Sequence, residues 1–587
     1  MSRPTRTEFP SPLTVVAIAA VLRLAYLVAQ PSFDPAFAAP ELDGAVYLDW
    51  ARSLLEGGGS PAGAYYLAPG YAFALAAALG ATQGSLFAVY ALQHAAALAA
   101  AVVLGRLAGR LAGPRAAWIA TAVAAFYHPA MFFASRLSAE AFSLLPLAAA
   151  VSLMCRAGTW SAAGAGGLIG VAAMFRPAYL IVAVVWGACL ALVRRPRAAV
   201  AAVAACAAVL APVALRNLSA SGHVVPVSSN GGITLYQGNA PGALGVFTPV
   251  EGLSGRIATQ RDEATALAVR LSGTRLDDVQ ADLWWSRRAL ATRAAVPLDT
   301  AILLVRRVSL TLSSREAGLD AHPALDPYPW RLAGPLPFAI VFGLALAGAA
   351  GAGPRRSGAW PVWGAIAGCA ATPILFYVSS RYRLPMAFLL SVPAGVGAAW
   401  ILDGENLRRR LAIAAAGIAI GVLVPSFDLP RQTAATALAN RSSTWRAQGR
   451  LDRAVRDAER AVARDPEDPR SRHALGAARG ATGDLVGAEE ALRAAIALDP
   501  ANPGAAADLG GILVRAGRPA EAVGILQAAV NRDPEDRVAW TNLVVALAEL
   551  GSPEAAREAA RRARDRGVSV DPALLSAISE GADAVPQ

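Results

Sequence analysis

LFAVYALQHAAALAAAVVL, residues 86–104, runs apolar for the length one helix needs to cross a hydrocarbon core of about 30 Å. Runs of the same kind lie at Leu13–Ala29 on one side and Ala198–Leu215 on the other. A soluble chain of 587 residues can bury as much apolar surface, but in shorter stretches. Here 55% of residues are hydrophobic, 16% are charged, and the mean hydropathy is +0.43. The pattern predicts an all-α fold, a polytopic membrane helix bundle of about 11 spans. The spans fall at 12–30, 85–105, 116–134, 139–155, 161–175, 177–193, 198–215, 334–352, 359–378, 384–402 and 411–426. The first apolar segment lacks a clear small-residue cleavage site and is expected to be a retained helix.

The net charge is +11, and every basic residue is arginine. A nucleic-acid partner is not the reading, because the arginines sit in short loops between apolar segments, where they orient a membrane protein. Keeping Arg3/Arg6, Arg106/Arg110/Arg115, Arg156, Arg194/Arg195/Arg197, Arg355/Arg356 and Arg408/Arg409/Arg410 inside sets the threading. Segments 31–84, 135–138, 216–333 and 379–383 then face outward, as does everything after 427. Ala64–Leu79 does not fit as a full span without inverting all that follows. It reads as an interfacial or re-entrant helix introduced by Pro69-Gly70. The expected location is the cytoplasmic (inner) membrane, multi-pass, with the large outer loop 216–333 of mixed structure. The four cysteines, Cys155, Cys189, Cys206 and Cys369, lie in or beside apolar segments and read as small hydrophobes.

Residues 435–570 repeat with a step of about 34 residues. Asp-Pro recurs at Asp465-Pro466, Asp499-Pro500 and Asp533-Pro534, and glycine at Gly449, Gly483, Gly517 and Gly551. Alanine keeps the same phase at Ala454, Ala488, Ala522 and Ala556, and at Ala461, Ala495, Ala529 and Ala563. Small residues let paired helices approach, glycine ends the first helix and proline begins the next unit. The pattern resembles the tetratricopeptide repeat (TPR), and predicts an α-solenoid of about four units. Ser442 stands where Gly476 and Gly510 sit, and Val568 replaces the last proline, as suits capping units. The domains are thus a membrane unit 1–426, a linker 427–434, repeats 435–570 and a tail 571–587. The repeat reads either as a groove for a protein partner or as a spacing module.

Chemistry at the outer boundary needs ionisable groups there. In the first outer segment Asp43, Tyr47, Trp50 and Leu54 share helical spacing, so a short helix can present Asp43 near the membrane. A carboxylate there can accept a proton from an attacking hydroxyl; the plain alternative is a solvated helix N-terminus. Glu140 follows Arg136 closely, and a structural ion pair explains it equally well. Arg136, Arg176, Arg216, Arg381 and Arg383 fall on the same side. Guanidinium matches phosphate, whereas snorkelling to headgroups explains any single arginine but less well the set. The five histidines are scattered, with no metal-ligand spacing, and no cofactor is expected.

The run Asp43-x3-Tyr47-x3-Ala51-x3-Leu55-x-Gly57, followed by Ala68-Pro69-Gly70-Tyr71, resembles the first outer loop of GT-C glycosyltransferases. The bacterial protein-mannosyltransferase and aminoarabinose-transferase superfamily (glycosyltransferase family 39-like) is the nearest in pattern. Leu137–Glu140, Phe175-Arg176-Pro177, Arg216-Asn217 with Gly222, Asn230-Gly231-Gly232, Tyr236-x-Gly238-Asn239, Gly245, Glu316 and Arg381-Tyr382-Arg383-Leu384-Pro385 continue it in order. The similarity covers about residues 12–425. It implies sugar transfer from a polyprenyl-phosphate donor to a hydroxyl of an envelope glycan, lipid or protein acceptor outside the cytoplasmic membrane. Asp43 would be the general base, with inversion at the anomeric carbon. Arg381 and Arg383 would hold the leaving phosphate, with Arg216 and Arg136 behind them and Arg176 and Tyr47 also in the substrate site. Glu140 would orient Arg136 or contact the sugar. Gly44 departs from relatives that carry a second acid there, which weakens any metal-dependent variant.

Two other classes compete. A non-catalytic membrane scaffold would use the repeat to recruit envelope proteins. A transporter would need midplane charges and inverted repeats, which are not apparent in the sequence.

Overall fold

A computed structural model describes residues 11–571 and Leu574, apart from 254–256, 320, 329, 331–336, 353–358, 404–405, 426–428 and 501. The arginine clusters Arg3/Arg6 and Arg355/Arg356, part of the linker 427–434 and nearly all of the tail 571–587 lie outside the described residues. The chain divides into two compact units, Met1–Pro430 and Arg431–Gln587. Both are helical, and no strand occurs among the described residues.

In the first unit, Pro12–Ser32, Leu86–Ala112 and Pro196–Ser221 are long and apolar enough to cross a membrane. A fourth joins them if Ser380–Leu389 and Ser391–Leu402, bent by 45°, count as one. That is fewer than the expected 11. The other expected spans fold as shorter apolar helices, among them Ala139–Met154, Thr159–Phe175 and Trp360–Leu375. A helix of 16 residues reaches only about 24 Å, short of a hydrocarbon core.

Proline chemistry explains one of these breaks. The expected span 116–134 becomes Pro114–Ala125 and His128–Ala134, with Tyr127 extended between them. Pro129 has no N–H for the carbonyl of Ala125 four residues back. Arg23, buried in the middle of Pro12–Ala29, supplies donors instead: its Nη2 and Nε donate to the Ala125 carbonyl at 2.9 and 3.3 Å. The same guanidinium meets His94 Nδ1 at 3.0 Å. At the other end of the short helix, Gln93 Nε2 donates to the carbonyls of Ala134 and Arg136 at 2.9 and 2.8 Å.

Small residues bring the helices close. Thr159–Phe175 lies along Pro196–Ser221, where a Cβ on Gly166 would overlap the Ala202 carbonyl. The core between them joins Leu104, Ala120, Val151, Ile169 and Trp186. The described part of 216–333 holds the helices Gly231–Asn239, Ile257–Ser272, Asp278–Ala294 and Pro297–Leu312 joined by loops, with no strand. A small core of Ile233, Tyr236, Leu267 and Trp285 holds the first three together.

The second unit is a series of packed helix pairs, from Pro469–Thr482 and Leu485–Leu498 to Arg537–Glu549 and Pro553–Asp565. Asp468, Asn502 and Asp536 cap the helices that begin each pair. Gly483 turns the chain at φ 92°, a conformation L side chains rarely adopt. Gly510 faces Leu526 so closely that a Cβ would meet its side chain at 2.5 Å. At the first unit's equivalent position the Ser442 hydroxyl donates to the Ala454 carbonyl at 2.7 Å, so the hydroxyl is satisfied although buried. Val568, in place of the last proline, is buried against the final helices.

Asp282, half-buried between Asp278–Ala294 and Gly231–Asn239, accepts from the Gly232 and Ile233 amides at 2.6 and 3.3 Å. Burial pushes its carboxyl up to about 7. The folded state therefore holds this proton where the unfolded chain has lost it. Its contribution to stability is fully present below the ordinary carboxylate range and is lost as pH rises to about 7. Unfolding midpoints measured between about pH 4 and 7 should fall with pH in the wild type, and Asp282→Asn should remove that part of the slope.

Candidate functional site

Asp43 is the first residue of Asp43–Leu55, and Leu42 before it has φ 49°, a strained conformation for a branched side chain. Gly44 lies against the 135–138 segment, where a Cβ would come within 3.2 Å of the Leu137 carbonyl. That approach is tight for a side chain at position 44 and carries Asp43 to the start of Ala139–Met154, whose first turn holds Glu140.

Arg381, in Ser380–Leu389, bridges the two acids. Its Nη1 lies 2.7 Å from Asp43 Oδ2 and its Nε 2.7 Å from Glu140 Oε1. Arg176, the residue after Thr159–Phe175, also pairs with Glu140 through Nη1 and donates to the Arg381 carbonyl at 3.3 Å. Its guanidinium stacks 4.6 Å over the Tyr382 ring. Ser138 donates to the second oxygen of Glu140. Residues 43, 140, 176 and 381 thus meet from four separate segments as two carboxylates and two guanidiniums.

Exposure separates the acids. The Glu140 side chain is fully buried and bonded through both oxygens, whereas Asp43 keeps 22% of its side chain open. Asp43 and Arg381 line a cavity of ≈ 60 Å³ whose wall also includes Glu41, Ser138 and Arg136. That volume is small for a ligand pocket. Arg136 is held across this cavity by Asp34, with Nη2 2.6 Å from Oδ2, and stacks on Phe132 at 4.6 Å.

The geometry corrects several expectations. Glu140 pairs with Arg381 and Arg176, not with Arg136. Arg383 does not join Arg381: two residues apart on one helix, side chains diverge by about 200°. Arg383 is buried, lies 2.6 Å from Glu316 Oε1, donates to the Ser313 carbonyl and sits over Phe338. Arg216 caps the Pro61 and Gly63 carbonyls and stacks on Tyr65 at 4.0 Å, away from the acids. The buried Tyr47 hydroxyl donates to the Ala68 carbonyl at 3.2 Å, and burial together with the Asp43 carboxylate pushes its pKa up. Tyr47 supports the Asp43 helix through its ring and offers no base. Asp34, which anchors Arg136, was not singled out in the sequence. Before Pro35 it reads as a cap, and it does accept from the Ala36 amide at 3.1 Å. Among the described residues, no three His, Cys, Asp or Glu side chains gather as metal ligands.

The C-terminal unit is a tetratricopeptide-repeat array. Tetratricopeptide-repeat family models match residues 446–503, 481–540 and 513–579. Among solved structures the chain is similar to an O-GlcNAc transferase variant from Thermobaculum terrenum, at 28% identity, TM-score 0.22, and 23% and 26% coverage of the two chains. The chain spans about a quarter of that protein's length. It is also similar to YrrB, described as a TPR protein with an unusual peptide-binding site, at 22% identity, TM-score 0.23, and 31% and 89% coverage. PilF of Pseudomonas aeruginosa matches at 21% identity, TM-score 0.24, and 26% and 70% coverage. No curated protein matches.

Removing the Glu140 charge should leave Arg176 and part of Arg381 buried without a counter-ion. Glu140→Gln should therefore cost about 3–5 kcal/mol in the purified full-length protein's denaturation curve. Asp43→Asn should cost clearly less, because Arg381 keeps Glu140 and Asp43 is partly open to water.

Proposed function

We propose that this chain is a membrane-held protein with two working parts. The C-terminal repeat docks a protein partner. The N-terminal site moves a sugar from a polyprenyl-phosphate donor to a hydroxyl of a cell-envelope glycan, lipid or protein. The docking part is the better supported, because the family match covers the repeat and such arrays use stacked helix pairs as an extended concave surface. The transfer part rests on one observation: residues 43, 140, 176 and 381 converge beside a cavity that a fifth charged residue, Arg136, faces.

Membrane residence is supported by the three long apolar helices and by the side chains they leave uncovered. Leu13, Val21 and Val28 on the first, and Val200 and Leu215 on the third, are each at least 64% exposed. In this reading the chain lies in the cytoplasmic membrane, with residues 216–333 and the repeat outside.

The chemistry follows from the charge pattern. With no donor bound, Arg381 covers Asp43. A donor phosphate offers that guanidinium two oxygens in fork geometry and draws it off the carboxylate. Asp43 then takes the proton of the acceptor hydroxyl. The hydroxyl oxygen bonds to the anomeric carbon as the bond from that carbon to the phosphate oxygen breaks, with inversion. Arg381 stabilises the phosphate as its charge grows, with Arg136 on the facing wall. Glu140 touches no reactant and positions Arg381 and Arg176.

In membranes supplied with a labelled lipid-phosphate sugar, Asp43→Asn should lower transfer by on the order of 10²–10⁴-fold while insertion is kept and thermal unfolding shifts only slightly. Full activity in that variant would remove the transfer reading.

The second reading is an anchored scaffold without catalysis. It is favoured by Arg381 occupying both acids and by the small volume of the cavity beside them. Deleting residues 431–587 separates the two. If the site transfers sugar, the truncated protein should still act on a simple hydroxyl acceptor but lose co-purification of its envelope partner. If the chain is only a scaffold, the deletion should remove all function and Asp43→Asn should remove none.

A further inference from the structure

A second recess lies well away from the acid–arginine cluster. Its volume is ≈ 760 Å³, within the range of ligand pockets and far above the ≈ 60 Å³ beside Asp43. It opens between Leu86–Ala112, Pro114–Ala125 and Ala139–Met154, and three arginines line it: Arg106, Arg110 and Arg156. Along Leu86–Ala112, Arg106 stands about 20 Å from Gln93, which bonds to the segment leading into Glu140. Arg106 and Arg110 are four residues apart on one helix and so share a face. Arg156 comes from beyond the end of Ala139–Met154.

The arginines differ from their neighbour Arg115. Arg115 is paired with Asp403, whereas none of the three in the recess has a carboxylate partner among the described residues. Arg110 is held by Ser152, its Nη2 reaching the hydroxyl at 2.5 Å and the carbonyl at 3.3 Å. The rest of the wall is apolar and small: Val103, Leu153, Ala117 and Ala149. Arginines that only orient a span need water, and a convex surface serves them as well. Three exposed arginines gathered at the rim of one apolar-walled recess are matched to an anionic headgroup with hydrocarbon attached.

We propose that this recess binds the phosphate headgroup of an anionic phospholipid. Arg106, Arg110 and Arg156 take the phosphate, and Val103 and Leu153 take the first carbons of the acyl chains. The site is distinct from the donor site and rests on the membrane reading above, not on the transfer reading.

The test uses full-length protein in detergent, with thermal unfolding followed as phosphatidylglycerol, phosphatidylcholine or inorganic phosphate is added. Phosphatidylglycerol should raise the unfolding temperature and phosphatidylcholine should not. In an Arg106→Gln/Arg156→Gln variant the apparent affinity for phosphatidylglycerol should drop about tenfold or more. Arg115→Gln, which removes the same kind of charge outside the recess, should leave it unchanged. Protection by inorganic phosphate alone, lost in the double variant, would support the site with a soluble source of phosphate. Equal protection by both lipids, or an unchanged response in the double variant, would overturn the proposal. Alkaline extraction of native membranes is run alongside: a chain released by carbonate overturns the membrane reading, whereas a retained chain without lipid response overturns this proposal alone.

Discussion

A helix that ends inside an apolar bundle leaves carbonyls that no water reaches, and each must find a donor. This constraint shapes the N-terminal unit more than any other. Arg23 closes the break at Ala125, and Arg307 donates to the carbonyls of Ile374 and Leu375 at 3.0 and 3.1 Å where Trp360–Leu375 ends. Arg383 does the same for Ser313, just past Pro297–Leu312. With those donors in place the chain can stop, turn and restart within its own core. Without them the helices would have to run on, and the segments that meet at residues 43, 140, 176 and 381 would be held apart.

The acid–arginine cluster uses the same guanidinium chemistry on a different acceptor. Arg23, Arg307 and Arg383 are buried and donate to carbonyls. Arg381 divides its donors between a sealed carboxylate and a partly open one. That asymmetry matters chemically. The bond to Glu140 fixes the guanidinium, and the bond to Asp43 is the one that an incoming anion can replace at low desolvation cost.

The repeat unit solves its packing differently. The first helix of each pair ends at a left-handed glycine, and Gly476 and Gly510 let its partner's Leu492 and Leu526 pack close within the core. Ser442 is the informative exception. Its extra oxygen is tolerated because it donates to the Ala454 carbonyl in the facing helix.

Local regularities were legible from the sequence by itself. The helical class, the repeat's step and the glycines and alanines that carry it follow from periods of a few residues or one unit, which depend on backbone geometry alone. Asp43, Glu140, Arg176 and Arg381 could be picked out as candidates because ionisable groups at the ends of apolar runs are conspicuous. Tertiary structure alone decided which of them touch. Arg381 and Arg383 look equivalent in Ser-Ser-Arg-Tyr-Arg-Leu-Pro, yet helical rotation sends one to Asp43 and the other to Glu316. Apolar runs also overstated the number of long helices, since a run records hydrophobicity but not the proline breaks that a distant arginine makes affordable. Partners such as Arg23 and Ala125, or Asp34 and Arg136, are about a hundred residues apart, and no local period encodes a contact of that kind.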